Sequence, residues 1–238
     1  MKSFNYKRVL FKISGEALLG QSQNGIDLRI AQSLAQDLIK GLSLGIQISL
    51  VVGGGNIFRG LDGVHNGMDR ATSDYMGMLA TVMNALALSQ VIKGMNAEAR
   101  VMSAIPMTSV CETYTISKAK DHISKGRIAI FAAGTGNPFF TTDTAAVLRA
   151  IETSSNIMIK ATQVDGVYSS DPKKNKDAQR FDKLSYSDVL QKNLKVMDGT
   201  AVALARDNRL PVMVCSMKEN GNILKVINGE AKATLIEE

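Results

Sequence analysis

The chain of 238 residues contains no tryptophan, only two cysteines and four prolines, and aromatic residues make up just 5% of it. Cys111 and Cys215 are too few for a disulfide framework and match no metal-ligand spacing, so they fit a reducing compartment. No stretch approaches the roughly 18 consecutive apolar residues of a membrane span, and the N-terminus lacks the apolar core of a signal peptide. We therefore expect a soluble, cytoplasmic protein without a membrane partner.

The formal net charge of +6 is compatible with a nucleic-acid partner. The basic residues are scattered along the chain, however, and few aromatic side chains are present to stack on bases. An anionic small substrate explains the excess equally well, because Lys and Arg gather where phosphates are held. We expect no nucleic-acid partner.

Short apolar runs recur along the chain and are almost continuous, as in strands that are buried on both faces of a parallel sheet. They span residues 9–13, 46–52, 99–102, 128–131, 157–159 and 212–214. Helical patterns lie between them, including one that Asp27 caps and Gly45 ends, and a longer one from Asp69 to Lys93. The alternation predicts a three-layer α/β/α sandwich around a mainly parallel central sheet.

The length and the 45% share of hydrophobic residues suffice for one sizeable core, so we expect one domain over residues 1–238. Residues 162–186 are polar, turn-rich and basic. They predict a long surface excursion, and such loops are usually either functional or disordered.

Ligands of open α/β sheets bind where the carboxyl ends of the strands pass into loops, so the strand exits are the places to search. The first exit reads Lys12, Ile13, Ser14 and Gly15. The glycine would let backbone N–H groups approach an anion, and the lysine would supply a point charge. An ordinary turn glycine beside a solvated lysine accounts for this motif equally well.

The second exit carries three consecutive glycines, residues 53–55, followed by Arg59. Three glycines cost conformational entropy, which favours close approach of the backbone to a ligand over a simple change of direction. The planar fork of Arg59 suits a phosphate. Asp74, near the start of the next helix, could accept hydrogen bonds from ribose hydroxyls or could be a solvated acid.

The third exit, residues 134–143, combines glycines, one proline, two phenylalanines and threonines before a helix begins. Phe139 and Phe140 could form the wall of a pocket for a flat base. Thr141 and Thr142 stand at the start of the helix, where free N–H groups favour an anion. Asp143 is either a helix cap or a partner for nearby lysines.

The fourth exit begins with Lys160, and a lysine that ends a buried strand is uncommon because burial of a lone charge is unfavourable. Lys12 and Lys160 together could neutralise the two sides of a transferring phosphoryl group. Tyr168 and Asp171, in the turn-rich segment that follows, suit an adenine and its ribose.

Other chemistries find little support in the chain. The sequence has no GxxxxGK[ST] phosphate loop and no GxSxG nucleophile elbow. His65 and His122 are isolated in the sequence, as surface or packing histidines usually are.

In combination these motifs resemble the amino acid kinase family, and within it the bacterial UMP kinase branch, over essentially the whole chain. The motifs that carry the resemblance are KISGEAL, VVGGGNIFRG, MGMLATVMNALAL, MSAIP, AGTGNPFFTTD, KATQVDGVYSSDP and KVMD. The KxSG start and the GGGN turn are shared across the wider family, whereas GTGNPFFTTD points to the branch that acts on UMP. The resemblance implies ATP-dependent phosphorylation of UMP to UDP in pyrimidine nucleotide biosynthesis.

The resemblance also implies roles for individual residues. The catalytic group is Lys12, Arg59, Asp143 and Lys160. The ATP-binding residues are Lys12, Ile13, Ser14, Gly15, Gly55, Arg59, Thr162, Tyr168 and Asp171. The UMP-binding residues are Gly54, Arg59, Asp74, Thr135, Gly136, Asn137, Pro138, Phe139, Phe140, Thr141 and Thr142. The UMP side then lies mainly in the N-terminal half and the ATP side mainly in the C-terminal half, with Mg²⁺ held mainly by the ATP phosphates and by few protein ligands.

Family members are typically homohexamers that GTP activates and UTP inhibits, so the resemblance implies a homo-oligomer with these effectors. The segments 20–25 and 89–90 are polar and neutral here, where the family pattern has charged residues, and this indicates weak or absent activation by GTP. Two rival functions remain. One is a kinase of the same fold that acts on a carboxylate or carbamate, and the other is a nucleotide-sensing or nucleic-acid-binding protein without turnover.

Overall fold

The computed structural model describes residues 6–65, 67–172, 174–217 and 221–238 of the chain. The strands are β1 (Arg8–Ile13), β2 (Gln47–Val52), β3 (Ala99–Ser103), β4 (Glu112–Thr113), β5 (Ile128–Ala132), β6 (Ile157–Thr162), β7 (Val167–Tyr168), β8 (Arg180–Phe181), β9 (Lys183–Leu184), β10 (Val212–Ser216) and β11 (Ala233–Ile236). The α-helices are α1 (Leu28–Ser43), α2 (Gly60–His65), α3 (Arg70–Gly94), α4 (Ile116–Ser124), α5 (Thr142–Glu152), α6 (Tyr186–Gln191), α7 (Gly199–Asp207) and α8 (Asn222–Ile227). A 3₁₀ turn spans Gly15–Leu18.

The described strands form one large sheet in the order β4-β3-β5-β2-β1-β6-β10-β11-β9, and β7 pairs separately with β8. Neighbouring strands of the large sheet are parallel except for β10 and β11, which are antiparallel. The predicted mainly parallel central sheet is therefore confirmed. Each predicted strand is present, and most are longer than predicted by one to three residues.

Successive side chains of the central strands point to opposite faces of the sheet, and each face packs against a layer of helices. The sheet is therefore the middle of three layers. Phe11 and Ile13 pack on one face with apolar residues of α1 and α3. Leu10, their neighbour in the same strand, packs on the other face with residues of α4, α5 and α7. Because both faces are buried, the strands read as continuous apolar runs in the sequence.

The predicted helix starts are confirmed by side-chain caps. Asp27 accepts a hydrogen bond from the backbone N–H of Arg29 at 2.9 Å, and Asp69 accepts one from Thr72 at 2.9 Å. Helix α3 is long and apolar enough to cross a membrane by length and composition alone. However, half of the residues in its most apolar 18-residue stretch are buried inside the protein, as is usual for a helix that packs in a globular core.

The segment 162–186, predicted as a long surface excursion, contains the β7–β8 pair and β9. Lys173 lies outside the described residues. Thr234 on β11 accepts a hydrogen bond from the backbone N–H of Val167 at 2.8 Å, which attaches this segment to the large sheet beside its edge strand β9. The short strands here and β4 escaped prediction because two-residue strands have no periodicity to detect.

Candidate active site

The structure places Lys12 and Lys160 side by side, because β1 and β6 are adjacent parallel strands whose register pairs these two residues. Asp143, in the first turn of α5, lies between their ammonium groups. The Nζ atom of Lys12 is 2.9 Å from Oδ1 of Asp143, and that of Lys160 is 2.5 Å from Oδ2. Lys160 also donates to the carbonyl of Val196. We call Lys12, Asp143 and Lys160 the central triad.

The central triad is almost shielded from solvent, since each of its side chains is only 12–14% exposed. Burial raises the pKa of Asp143, but the two ammonium groups outweigh this effect and hold its pKa below the usual range. Burial lowers the pKa of Lys160, and the like charge of Lys12 acts in the same direction, against the opposing effect of Asp143. Two ammonium groups therefore share one carboxylate, and one positive charge remains uncompensated within the triad.

A cavity of about 370 Å³ lies between the glycine turn after β2, helix α3 and the loop from β5 to α5, and Thr142 on its wall directly precedes Asp143 of the triad. We call it the first cavity. Most of the residues predicted to bind UMP line it, namely Gly54, Arg59, Asp74, Thr135, Asn137, Phe140, Thr141 and Thr142.

Three residues predicted for the same role do not line the first cavity: Gly136, Pro138 and Phe139. Gly136 and Phe139 have left-handed backbone conformations, with φ of 83° and 71°, so they shape the loop. The Phe139 side chain is 68% exposed and lies under the guanidinium of Arg70, 5.6 Å from it. Of the two phenylalanines expected to form the wall, only Phe140 does so.

Asp74 anchors the β5–α5 loop to α3. Its Oδ2 atom accepts hydrogen bonds from Nε of Arg70 and from the backbone N–H of Phe139, each at 2.8 Å. The residue lies in the second turn of α3 and faces the first cavity. Oδ2 of Asp74 is thus already used in hydrogen bonds within the protein. That Oδ1 accepts a hydrogen bond from a ribose hydroxyl stays a prediction.

The glycines after β1 and β2 are explained largely by packing within the protein. A Cβ atom on Gly54 would lie 2.7 Å from the carbonyl oxygen of Gly77 and 2.9 Å from the Cβ of Ala80, both in α3. The atom nearest to a Cβ on Gly55 would be Nε of Arg59, at 3.6 Å, which is an ordinary van der Waals distance. Close approach to a ligand therefore remains a prediction for Gly55, whereas protein contacts account for Gly54.

Substitution of Gly15 by alanine is expected to destabilise the protein by about 1–3 kcal/mol through overpacking. The added Cβ would lie 2.4 Å from Oδ1 of Asn56 and 2.7 Å from the carbonyl oxygen of Gly53. Denaturant unfolding measures the loss. Gly94→Ala is the matched control, because nothing lies within 4 Å of its added Cβ. Equal stability of the two variants, with a raised KM for ATP only in Gly15→Ala, would show that a ligand rather than packing requires this glycine.

A second cavity, of about 620 Å³, lies where β6, β7 and the segment before α7 meet, and Lys160 of the triad is part of its wall. Lys160, Thr162, Tyr168 and Asp171 line it. The hydroxyl of Tyr168 donates to Asp165 at 2.6 Å, and Thr162 exchanges hydrogen bonds with the backbone of Val164. The other predicted ATP-binding residues do not line this cavity, namely Lys12, Ile13, Ser14, Gly15, Gly55 and Arg59. Gly55 and Arg59 line the first cavity instead. Lys12 is linked to Lys160 by their shared partner Asp143.

Two acidic residues at the site were not predicted. Asp198 caps α7 by accepting from the backbone N–H of Ala201, and it also accepts from the hydroxyls of Thr141 and Thr144 at the start of α5. Glu16 forms an ion pair with Arg59. The position of Asp198 directly before the helical pattern of α7 could have identified it as a helix cap from the sequence. The contact between Glu16 and Arg59 could not be predicted in this way, because it depends on tertiary folding.

A buried pair of amides, also not predicted, holds the glycine turn to α3. Asn84 donates to the carbonyl of Gly53 and to Asn56, each at 2.7 Å. Asn56 donates to Asn84 at 3.0 Å and to the carbonyl of Gly25 at 2.8 Å. Because both amides are buried and paired, they fix the turn relative to the helix that carries Asp74.

Within the described residues, no three His, Cys, Asp or Glu side chains are grouped so that they could hold a metal ion. The carboxylates nearest the centre are engaged elsewhere, Asp143 by two lysines and Asp198 by two threonine hydroxyls.

The family model for the amino acid kinase family matches residues 7–216. The uridylate kinase of Rickettsia rickettsii is 55% identical over 237 residues, which cover 100% of this chain and 96% of that protein. The uridylate kinase of Rickettsia felis is 54% identical, with coverage of 100% and 98%. Among solved structures, the UMP kinase from Bacillus anthracis superposes with a TM-score of 0.93 at 44% identity, covering 98% of this chain and 96% of that one. The UMP kinase from Ureaplasma parvum gives a TM-score of 0.92 at 38% identity, with both chains fully covered.

Proposed function

The chain belongs to the amino acid kinase family, and from this premise we propose that it is a nucleoside monophosphate kinase that transfers the γ-phosphoryl group of ATP to UMP. Its relatives named uridylate kinase match it along its whole length. The observation that carries the proposal is the central triad, whose Lys160 lines the second cavity and whose Asp143 directly follows Thr142 on the wall of the first. Two nucleotides bound in these cavities would meet phosphate to phosphate at the lysines.

The reaction requires no general base. The attacking atom is an oxygen of the UMP phosphate, which is already ionised at neutral pH. It forms a bond to the γ-phosphorus while the bond from that phosphorus to the bridging oxygen of ATP breaks, and ADP leaves with the electron pair. Catalysis then consists of in-line positioning and stabilisation of negative charge, and ammonium groups held by Asp143 can provide that stabilisation.

The two cavities suit the two substrates. UMP is assigned to the first cavity, whose lining residues lie between residues 54 and 142. ATP is assigned to the second cavity, whose lining residues lie between residues 160 and 214. Lys12 and Lys160 stabilise the transferring group, Arg59 contacts phosphate, and Asp143 orients both lysines. The nearby carboxylates are committed to other partners, so a Mg²⁺ ion would be held mainly by the ATP phosphates, where it would neutralise part of their charge.

We assign the enzyme to the cytoplasm and to pyrimidine nucleotide biosynthesis, as one domain over residues 1–238. Exposed apolar side chains on one face of α3 support a homo-oligomer, which we propose to be a hexamer; they are Tyr75, Met76, Leu79 and Met83. UTP is proposed as an inhibitor and GTP as an activator of small effect, because residues 20–25 carry no charge.

A coupled assay of ADP release tests the function with a panel of acceptors, namely UMP, CMP, dUMP and small carboxylates. We expect the highest kcat/KM with UMP, and parallel reactions with and without GTP measure the activation. A higher value with a carboxylate would establish the rival kinase of the same fold. No turnover with any acceptor, together with steeply salt-dependent DNA or RNA affinity, would establish the nucleic-acid-binding alternative.

A further inference from the structure

Arg149 is a charged side chain that no step of the proposed reaction uses. It lies on α5, is only 5% exposed, and lines neither of the two cavities. An arginine is seldom buried to this extent unless it is paired. Its partners therefore account for its position.

Glu152 and Tyr114 hold the guanidinium of Arg149 from one side. Its Nη1 atom lies 2.6 Å from Oε2 of Glu152, one turn further along α5. The same carboxylate oxygen accepts a hydrogen bond from the hydroxyl of Tyr114 at 2.5 Å. The guanidinium also lies over the Tyr114 ring, 3.9 Å from its centre, and that ring packs edge-on against Phe131 of β5. The core thus fixes the guanidinium in one position.

The other end of the guanidinium reaches the loop after β5. Nη2 of Arg149 donates to the carbonyl oxygen of Gly134 at 3.3 Å. Gly134 lines the first cavity, and its backbone is left-handed like that of Ala133, with φ of 56° and 60°. The hydroxyl of Thr81 accepts a hydrogen bond from the N–H of Ala133 at 2.8 Å. The loop is therefore attached to α5 through Arg149 and to α3 through Thr81.

The orientation of the Gly134 carbonyl also sets the direction of the next backbone N–H. In a planar trans peptide the C=O group and the following N–H point in opposite directions, and none of the described peptide bonds is cis. The N–H of Thr135 therefore points away from Arg149. It donates no hydrogen bond within the part of the chain that the structure describes, and Thr135 lines the first cavity. This backbone donor is available to a ligand there.

The strand order indicates which end of the nucleotide this donor meets. The phosphate of the acceptor must lie beside Lys12 on β1, and β2 lies between β1 and β5 in the sheet. Because neighbouring strands are about 4.8 Å apart, the exits of β1 and β5 are separated by about 10 Å. The base, at the other end of the nucleotide, then lies beside Thr135. Uracil carries carbonyl oxygens that can accept a hydrogen bond from an N–H group.

We propose that Arg149 is a positioning residue of the first cavity, which holds the Gly134 carbonyl so that the N–H of Thr135 faces the base of the acceptor nucleotide. The proposal rests on the assignment of UMP to that cavity. Arg149 does not touch the nucleotide and acts through the peptide between Gly134 and Thr135. Its planar fork presents donors in two directions, so that it contacts Glu152 and Gly134 at once.

Isothermal titration calorimetry of Arg149→Lys with UMP, ribose 5-phosphate and ATP tests the proposal. Lysine keeps the positive charge beside Glu152, but its compact ammonium group lacks the fork that also reaches Gly134. We expect UMP to bind about two- to tenfold more weakly, as for the loss of one hydrogen bond. Ribose 5-phosphate has the phosphate but no base, so its affinity should equal that of the unmodified protein, and so should the affinity for ATP.

Arg8→Lys is the matched control. Arg8 likewise donates to a backbone carbonyl, that of Thr153 at 2.6 Å, and to the side chain of Gln47 at 2.8 Å. It stands at the start of β1, however, at the opposite end of the strand from the site. The affinity of Arg8→Lys for UMP should be unchanged. Unchanged UMP affinity in Arg149→Lys, or equal weakening of UMP and ribose 5-phosphate, would overturn the proposal.

Tyr114→Phe takes the place of Arg149→Lys if that variant does not fold. It removes the hydroxyl that holds Glu152 and so loosens the guanidinium, which should weaken UMP but not ribose 5-phosphate. Its control is Tyr186→Phe, which removes a buried hydroxyl that donates to the carbonyl of Leu210. Equal UMP affinity in the two tyrosine variants would contradict the proposal.

These measurements also keep the role of Arg149 separate from the proposed function. Binding of UMP requires no phosphoryl transfer. An unmodified protein that binds UMP without phosphorylating it would therefore refute the proposed function, while the comparison of variants would still decide the role of Arg149.

Discussion

Asp143→Asn is expected to lower kcat by about 10³-fold or more, because loss of a single preorganised contact to transition-state charge already costs roughly 10²–10³. The carboxylate holds Lys12 at 2.9 Å and Lys160 at 2.5 Å, one on each oxygen. An asparagine offers one acceptor oxygen and presents an NH₂ donor to the other ammonium group. Both lysines then lose their fixed positions, and steady-state kinetics at saturating ATP and UMP measures the result.

The same substitution should destabilise the fold by about 3–5 kcal/mol, the usual effect of removing one partner from a buried ion pair. Asp143 has a lower pKa when folded than when unfolded. Its contribution to stability is therefore fully present above the unfolded value of about 3.9 and is lost as pH falls through the folded pKa. Denaturant unfolding of the unmodified protein should show this loss only below about pH 4, and Asp143→Asn should show a shallower loss over the same acidic range.

A double variant shows how much of the lost stability comes from repulsion between the two lysines and how much from other effects of the substitution. Asp143→Asn combined with Lys160→Met removes one of the two like charges, so part of the lost stability should return while the enzyme stays inactive. Asp121→Asn serves as the control, since its ion pair with Lys125 is exposed on α4 and should matter little. Normal turnover in Asp143→Asn would contradict the role of Asp143.

The sheet and its strand exits could be predicted from sequence because burial on both faces leaves continuous apolar runs. Lys12 and Lys160 could each be placed at the end of such a run. That they are neighbours depends on the strand order, in which β6 lies directly beside β1 although Lys160 is 148 positions after Lys12 in the sequence. Local patterns carry no information about such long-range pairing.

The details of the loops were less predictable because they depend on contacts between distant segments. Two adjacent phenylalanines read alike in the sequence, yet a left-handed backbone at Phe139 turns its side chain away from the cavity that Phe140 lines. Gly54 looked like a ligand contact, whereas the proximity of α3 explains the missing side chain. The bridge that Asp198 makes to the start of α5 likewise appears only when α5 and α7 are packed together.

Lys12→Ala is expected to lower kcat by on the order of 10² or more while leaving the protein folded, because it removes one preorganised positive charge from the transition state. Such a factor corresponds to about 2.7 kcal/mol of barrier. Asp143 keeps its second partner in this variant, since Lys160 is 2.5 Å away on the other oxygen. Lys12→Ala therefore separates catalysis from folding more cleanly than any change at Asp143.

The measurement combines kcat at saturating substrates with circular dichroism and denaturant unfolding of the same preparation. Lys125→Ala, which removes an equal charge far from the site, should keep normal turnover. Lys12→Arg should recover little, because a planar guanidinium cannot replace a compact ammonium group between Asp143 and the phosphates. Near-normal turnover in a folded Lys12→Ala variant would mean that Lys160 alone supplies the charge, and the symmetric role proposed for the two lysines would have to be abandoned.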